Sequence, residues 1–240
     1  DLVRSRGLGD VYKRQVDSSA IDENFGAEKT LLVAATPGAS EQRALLGFDR
    51  LPALPQDTVI LNAVLSLHLT TSLTPAMQIG VRCILSPWRE SEVTWNLHAD
   101  LKVADCVAPV TAPTASPARF DVTAVVHNWV NAPASFPNEG MLLYPSARTA
   151  SSRTFASREG EGAPKLAVNY ILPPIQVCID EITRCGTPAA SADVFNLTTG
   201  RRYATDTAGY ITAADDIAVG DVLWVRHYVD GDKTSARYRT

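Results

Sequence analysis

Between Thr58 and Thr71 the chain reads TVILNAVLSLHLTT, and no other run limits the fold as much. Its odd positions, Val59, Leu61, Ala63, Leu65, Leu67 and Leu69, are all apolar, whereas its even positions run from Ile60 and Asn62 to His68 and Thr70 and are mostly polar or β-branched. Successive side chains of a strand point to opposite faces, so this alternation predicts a half-buried β-strand with its odd face on a core. A helix, turning once in about 3.6 residues, would scatter the polar positions around its cylinder. Such a strand needs neighbours along both edges and an apolar layer opposite.

The flanking sequence offers them. Thr30–Ala35 reads as a short strand closed by Pro37-Gly38. Arg43–Asp49 alternates Ala44, Leu46 and Phe48 inward against Arg43, Gly47 and Asp49, and ends at Pro52 and Pro55. Ile79, Val81, Cys83 and Leu85 share one face of Met77–Ser86. Leu97–Pro117 reads as an irregular loop with one short strand around Leu101–Val107. In Phe120–Val130, Val122, Val125, Val126 and Trp129 form a helical stripe, with Asp121 as the expected N-cap. Gly140–Ala147, Thr154–Ser157 and Lys165–Ile171 return to strand character. Leu172-Pro173-Pro174 then marks a stiff boundary. Beyond it Ile175–Ile182, Ser191–Leu197, Arg202–Thr205, Tyr210–Ala213 and Val222–Val229 are short and evenly spaced, which predicts a small β-sandwich. The expected class is all-β: a β-sandwich with one short helix over 16–171, a linker over 172–174, and a smaller, truncated sandwich over 175–240.

Residues 1–15 are set aside from fold reasoning, because Ser5–Gln15 reads as the in-frame translation of a transposon end used in tagmentation sequencing. On that reading a leader, if there was one, lay in sequence that this segment replaces. A formal charge of −4 argues against a dedicated nucleic-acid binder. No run of eighteen apolar residues is present to insert into a membrane. Of the four cysteines, Cys178 and Cys185 flank IDEITR and are expected to pair. Cys83 is read equally as a buried free thiol or as bonded to Cys106.

Trp88 and Trp95, in PWRESEVTWN, have two readings: sugar-stacking rings, or anchors for a loop. Arg82, Arg89, Arg148, Arg153 and Arg158 could grip a uronate carboxylate if several share one face, and are otherwise surface charges. Tyr144, between Leu143 and Pro145, could face either way. The ligand set read from the sequence is therefore Arg82, Trp88, Arg89, Tyr144, Arg148 and Arg153. Asp17, Asp22 and Asp121 are candidates for a structural Ca²⁺ site, with turn and cap roles as the alternative; no other cofactor is expected. Glu90 and Glu92 sit in one loop and do not make a glycosidase pair, which needs carboxyls on opposite sides of the scissile bond. Neither a nucleophile elbow, a P-loop nor H-E-x-x-H occurs, and His68, His98, His127 and His227 lack ligand spacing. No catalytic residue is assigned.

Several of these pieces occur in a recognisable order: Asn24-Phe25-Gly26, Leu45–Asp49, Leu54-Pro55, Trp88-Arg89-Glu90 with Val93–Asn96, Phe120–Thr123 with Trp129, Asn138–Gly140, Phe155–Ser157 and Pro164–Tyr170. In this order residues 16–171 resemble the DNRLRE domain, the disaggregatase-related family that overlaps the family 96 carbohydrate-binding modules. The resemblance implies a jelly-roll-like sandwich in an extracellular or cell-surface protein, beside other domains of a longer parent chain. Gly186–Val194 with Thr205–Tyr210 is similar to carboxypeptidase-regulatory and transthyretin-like sandwiches, with Ser191 where that pattern has Gly. The implied function is non-catalytic polysaccharide binding. The alternative is a structural stalk or adhesin segment.

Overall fold

The computed structural model describes residues 4–7, 11–48, 54–55, 57–70, 77–112, 114–147, 149–172, 175–177, 188–212, 217, 221–229 and 232–239. Its contacts divide the chain into one unit ending at Ile171 and another beginning at Leu172. In the first, the described elements are β1 (Arg4–Gly7), β2 (Val11–Asp17), β3 (Thr30–Thr36), β4 (Ser40–Phe48), β5 (Val59–Leu67), β6 (Gln78–Ile84), α1 (Trp95–Ala99), β7 (Val103–Thr111), β8 (Ala118–Asp121), α2 (Thr123–Asn131), β9 (Met141–Pro145), β10 (Ser151–Ala156) and β11 (Lys165–Ile171). They form two antiparallel sheets. One has the order β1-β11-β5-β8, and the other β10-β3-β4-β9-β6-β7 with β2 also paired to β4.

The organising run becomes β5, flanked by β11 and β8. Ala63, Leu65 and Leu67 are buried, as are Leu166, Val168 and Phe120 on its neighbours. Across the sandwich, Phe120 meets Phe155 of β10 edge-on at 6.3 Å. Burying side chains of this size stabilises the fold by about 1.5–3 kcal/mol each, which is what holds the layers together.

The alternation fails at one point. Asn62 pairs with Asn169 while Ile60 pairs with Tyr170, so Leu61 is an extra residue in β5. This bulge reverses the parity of everything before it. Ile60 turns inward, and Val59 and Leu61, expected inside, are 55% and 42% exposed. Leu69 lies past the strand, bridged to Phe155.

The larger sheet is covered on both faces. Val16, Leu45, Ile84, Leu142 and Val93 form a second apolar cluster, packed over by Trp88, Trp95, Leu101 and Val103. The covering segment, between β6 and β7, holds a helix the sequence reading did not anticipate: α1, whose Thr94 side chain accepts from the Leu97 N–H. Strand β7 is also longer than the stretch expected at Leu101–Val107, and β8 was not expected at all. Cys83 of β6 is bonded to Cys106 of β7, Cα to Cα 5.8 Å, so the bridge reading of Cys83 holds. In α2 the stripe of Val125, Val126 and Trp129 is buried as expected, but Asp121 is not the N-cap. It ends β8 and accepts from Thr123 through both N–H and hydroxyl, while Val122 takes the cap position.

The residues set aside at the start take part in the fold. Arg4–Gly7 pairs with β11, and β2 runs along β4 from Val11↔Phe48 to Asp17↔Gln42. Lys13 and Arg14 are 0% and 1% exposed.

The second unit contains β12 (Asp193–Asn196), β13 (Arg202–Ala204), β14 (Val222–Val229) and β15 (Asp232–Arg239), in the order β13-β12-β14-β15. One face of this sheet presents Val194, Tyr203, Leu223 and Val225 to a core completed by Val177, Ala189, Ala192, Ile211 and Ile217. Where a strand was expected over Ile175–Ile182, Gln176 forms a single bridge to Tyr210. Cys178 and Cys185, expected to pair, lie outside the described residues.

Candidate functional site

On the outer side of the larger sheet, a shallow cavity of about 760 Å³ opens between β2, the Asn24–Ala27 turn and the Trp88–Ser91 loop. Two rings form its floor: Tyr12 and Trp88, centroids 4.8 Å apart and tilted by 45°. Each is held in place. Tyr12 lies flat over Gly47, where a Cβ would stand 1.9 Å from the ring, so only glycine leaves room for it. The Trp88 indole N–H donates to the Glu139 carbonyl at 2.7 Å. Asn24 ties the loop down from the other side, donating to the Glu90 and Val93 carbonyls.

Charge rims the cavity. Arg158 donates to the Val11 carbonyl and pairs with Glu90 at 3.3 Å and Glu159 at 3.2 Å. Arg89 is largely in solvent and meets Glu92 at 3.1 Å. Beneath the rim, Lys13 is buried yet satisfied, donating to the Gly26 and Glu28 carbonyls and pairing with Glu159 at 2.8 Å. Burial by itself would raise the Glu159 carboxyl; Lys13 and the Ser157 hydroxyl outweigh it and bring the carboxyl down to about 2. Arg14 differs. All three of its guanidinium nitrogens are buried without a partner, and burial lowers its pKa against the opposing charge of Glu90.

Two adjacent aromatic rings on an open sheet face, with guanidinium groups at the rim, suit the apolar face and the oxygens of a sugar ring. The sequence comparison agrees: residues 10–170 match the model of carbohydrate-binding module family 96. The chain belongs to that family. No curated protein matches it.

Within the family 96 unit, the expected ligand residues fall into different places. Trp88 and Arg89 share the cavity. Arg82 and Tyr144 form a separate stack on the same outer face: the Tyr144 ring covers Gly80, and the Arg82 guanidinium lies 4.4 Å above that ring while bonding Asp105 at 2.6 Å. Arg153 is buried. It sits in β10 opposite Val33, is 2% exposed, and donates to the Ser152 carbonyl. Arg148 lies outside the described residues. Trp95 carries Arg43 at 5.0 Å and His98 at 4.7 Å, and so anchors the loop.

The three aspartates considered for calcium do not converge. Asp17 accepts from Ser19 and Gln42, Asp22 from Asn96, and Asp121 from Thr123. Among the described residues no group of three or more His, Cys, Asp or Glu is placed to hold a metal ion. Tyr12 and Asn24 were missed as cavity residues. Tyr12 lies in the segment set aside, and Asn24 was read only as part of a family motif. The signal that could have found Tyr12 is Gly47, a glycine in an otherwise apolar strand, which marks a close approach by another group.

Proposed function

We propose that the family 96 unit is a non-catalytic, extracellular polysaccharide-binding module of DNRLRE type, which holds a longer parent protein on a glycan. The Tyr12–Trp88 platform carries this reading: two fixed rings lose little conformational freedom when a sugar stacks on them. Arg89 and Arg158 at the rim suit a carboxylate-bearing sugar. The carboxylates support a non-catalytic role. Among the described residues Glu90 is the one carboxylate that lines the cavity, and it is paired with Arg158; Glu92, two residues on, is paired with Arg89. Hydrolysis needs two carboxyls facing each other across the bond to be cut.

Affinity electrophoresis in gels containing alginate, pectin or a neutral glucan tests the proposal. Retardation is expected on an acidic glycan, reduced in Trp88→Ala and in Arg89→Ala, the latter at an exposed position that the fold does not use. Unchanged mobility in every gel would favour the stalk or adhesin reading instead.

A further inference from the structure

The second unit lies beyond the residues that match family 96, and its sheet has a second face. In β12, β13 and β14 alternate residues enter the core, so Asp193, Phe195, Arg202, Trp224 and Arg226 occupy the opposite side. Cross-strand register brings them together. Phe195 stands between Arg202 on one neighbour and Trp224 on the other, and Asp193 is opposite Arg226. The Phe195 and Trp224 rings are 5.0 Å apart with a 38° tilt. The Arg226 guanidinium lies 4.9 Å from the Trp224 centroid and 5.5 Å from that of Phe195, and Arg202 covers Phe195 at 5.4 Å. Arg202 also meets Asp193 at 2.6 Å. Next to the rings a shallow cavity of about 560 Å³ is lined by Asp193, Arg202, Tyr203 and Thr212 among others.

We infer that this face is a second, separate binding surface for an acidic polysaccharide, one bearing carboxylate or sulfate groups. Charge complementarity decides the occupant. The two guanidinium groups bring positive charge beside the aromatic rings, and the carboxylate or sulfate oxygens of a ligand are drawn to that charge. The rings between them offer the apolar surface that the C–H face of a pyranose needs. Asp193, amid this face, accepts hydrogen bonds from sugar hydroxyls; a phosphodiester backbone has no donors for it. The surface shares no residue with the Tyr12–Trp88 cavity, so the inference does not depend on the reading of the first unit.

The test uses the full chain carrying Trp88→Ala and Arg89→Ala, which silences the first cavity. Its binding to polygalacturonate, dextran sulfate, neutral dextran, a thymidine oligonucleotide and poly-glutamate is followed by calorimetry and by tryptophan fluorescence. Binding to polygalacturonate, dextran sulfate or both is expected, and the stronger of the two names the anionic group. Trp224→Ala should weaken that binding about tenfold or more, Arg202→Gln and Arg226→Gln should each weaken it about tenfold, and Trp224→Phe should retain most of it, all with unchanged far-ultraviolet circular dichroism. Failure to bind either acidic glycan would overturn the inference. So would equal binding to neutral dextran, tighter binding to the oligonucleotide or poly-glutamate, or variants that bind as well as their parent. If Trp224→Ala alters the circular dichroism, the two arginine variants decide.

Discussion

Lys13 and Arg14 are neighbours in one strand, both buried, and the fold treats them differently. The Lys13 ammonium has two carbonyls and Glu159 around it, whereas the Arg14 guanidinium makes no hydrogen bond and feels only the charge of Glu90. A buried cation without hydrogen bonds loses its hydration and recovers only part of that cost from a nearby charge. Arg14→Met should therefore raise stability by about 1–4 kcal/mol, seen as a higher urea midpoint; a lower midpoint would mean that Arg14 has a partner after all. His98 makes the pH prediction. It is buried, its Nε2 lies 3.0 Å from an Arg43 nitrogen that can only donate, and Nδ1 therefore carries the proton to the Trp95 carbonyl at 2.8 Å. Burial and the Arg43 charge hold its pKa below the ordinary 6.5. The unfolded chain thus takes up this proton first. The contribution is complete above about pH 6.5 and is lost as pH falls from there through the folded value. Urea midpoints at pH 7.5 and pH 5 should diverge in the native chain and converge in His98→Gln.

At the scale of elements, the covering segment between β6 and β7 determines both the site and its rigidity. Trp88 and Trp95 pack on the outer cluster, Val93 lies within it, and Trp88 is also half of the ring platform. The loop-anchor reading of Trp88 is met by its bond to Glu139 and its packing on the cluster, and the sugar-stacking reading belongs to the proposal, for which Trp88 lines the cavity. The strands that frame the segment are joined by Cys83–Cys106, across 23 positions of chain. Removing that crosslink with Cys83→Ala and Cys106→Ala should cost about 2–4 kcal/mol by releasing loop entropy to the unfolded state. Chemical denaturation reads this directly, and an unchanged midpoint would show that the bridge adds no constraint. The bulge at Leu61 is the other element-level device: one extra residue exposes Val59 and Leu61 while both ends of β5 stay in register with β11.

Taken as a whole molecule, the chain divides into two units, and the apolar cluster described in the second draws only on residues from Ile175 onward. Units with separate cores unfold as separate cooperative events. Scanning calorimetry should resolve two transitions, of which the Cys83→Ala and Cys106→Ala chain moves the first unit's alone. A single transition shifting as one would show the two units to be coupled. Two glycan-facing surfaces in one chain would also raise avidity for long polymers over short oligosaccharides, provided one polymer can reach both.

Whatever is written in short-range pattern could be read without coordinates. Period-two alternation gave β5 its character, prolines and glycines marked the breaks, the 3.6-residue stripe located α2, and the ordered motifs pointed to the family. Long-range pairing could not be read in this way. The bulge exists because Asn169 and Tyr170 select their partners across about a hundred residues, and nothing local to Leu61 announces it. The burial of Arg153, the separation of Arg82 and Tyr144 from Trp88, and the meeting of Phe195 with Trp224 follow in the same way from which strands lie side by side. Side-chain chemistry is a property of residues, but a site is a property of neighbours, and only the folded chain chooses those.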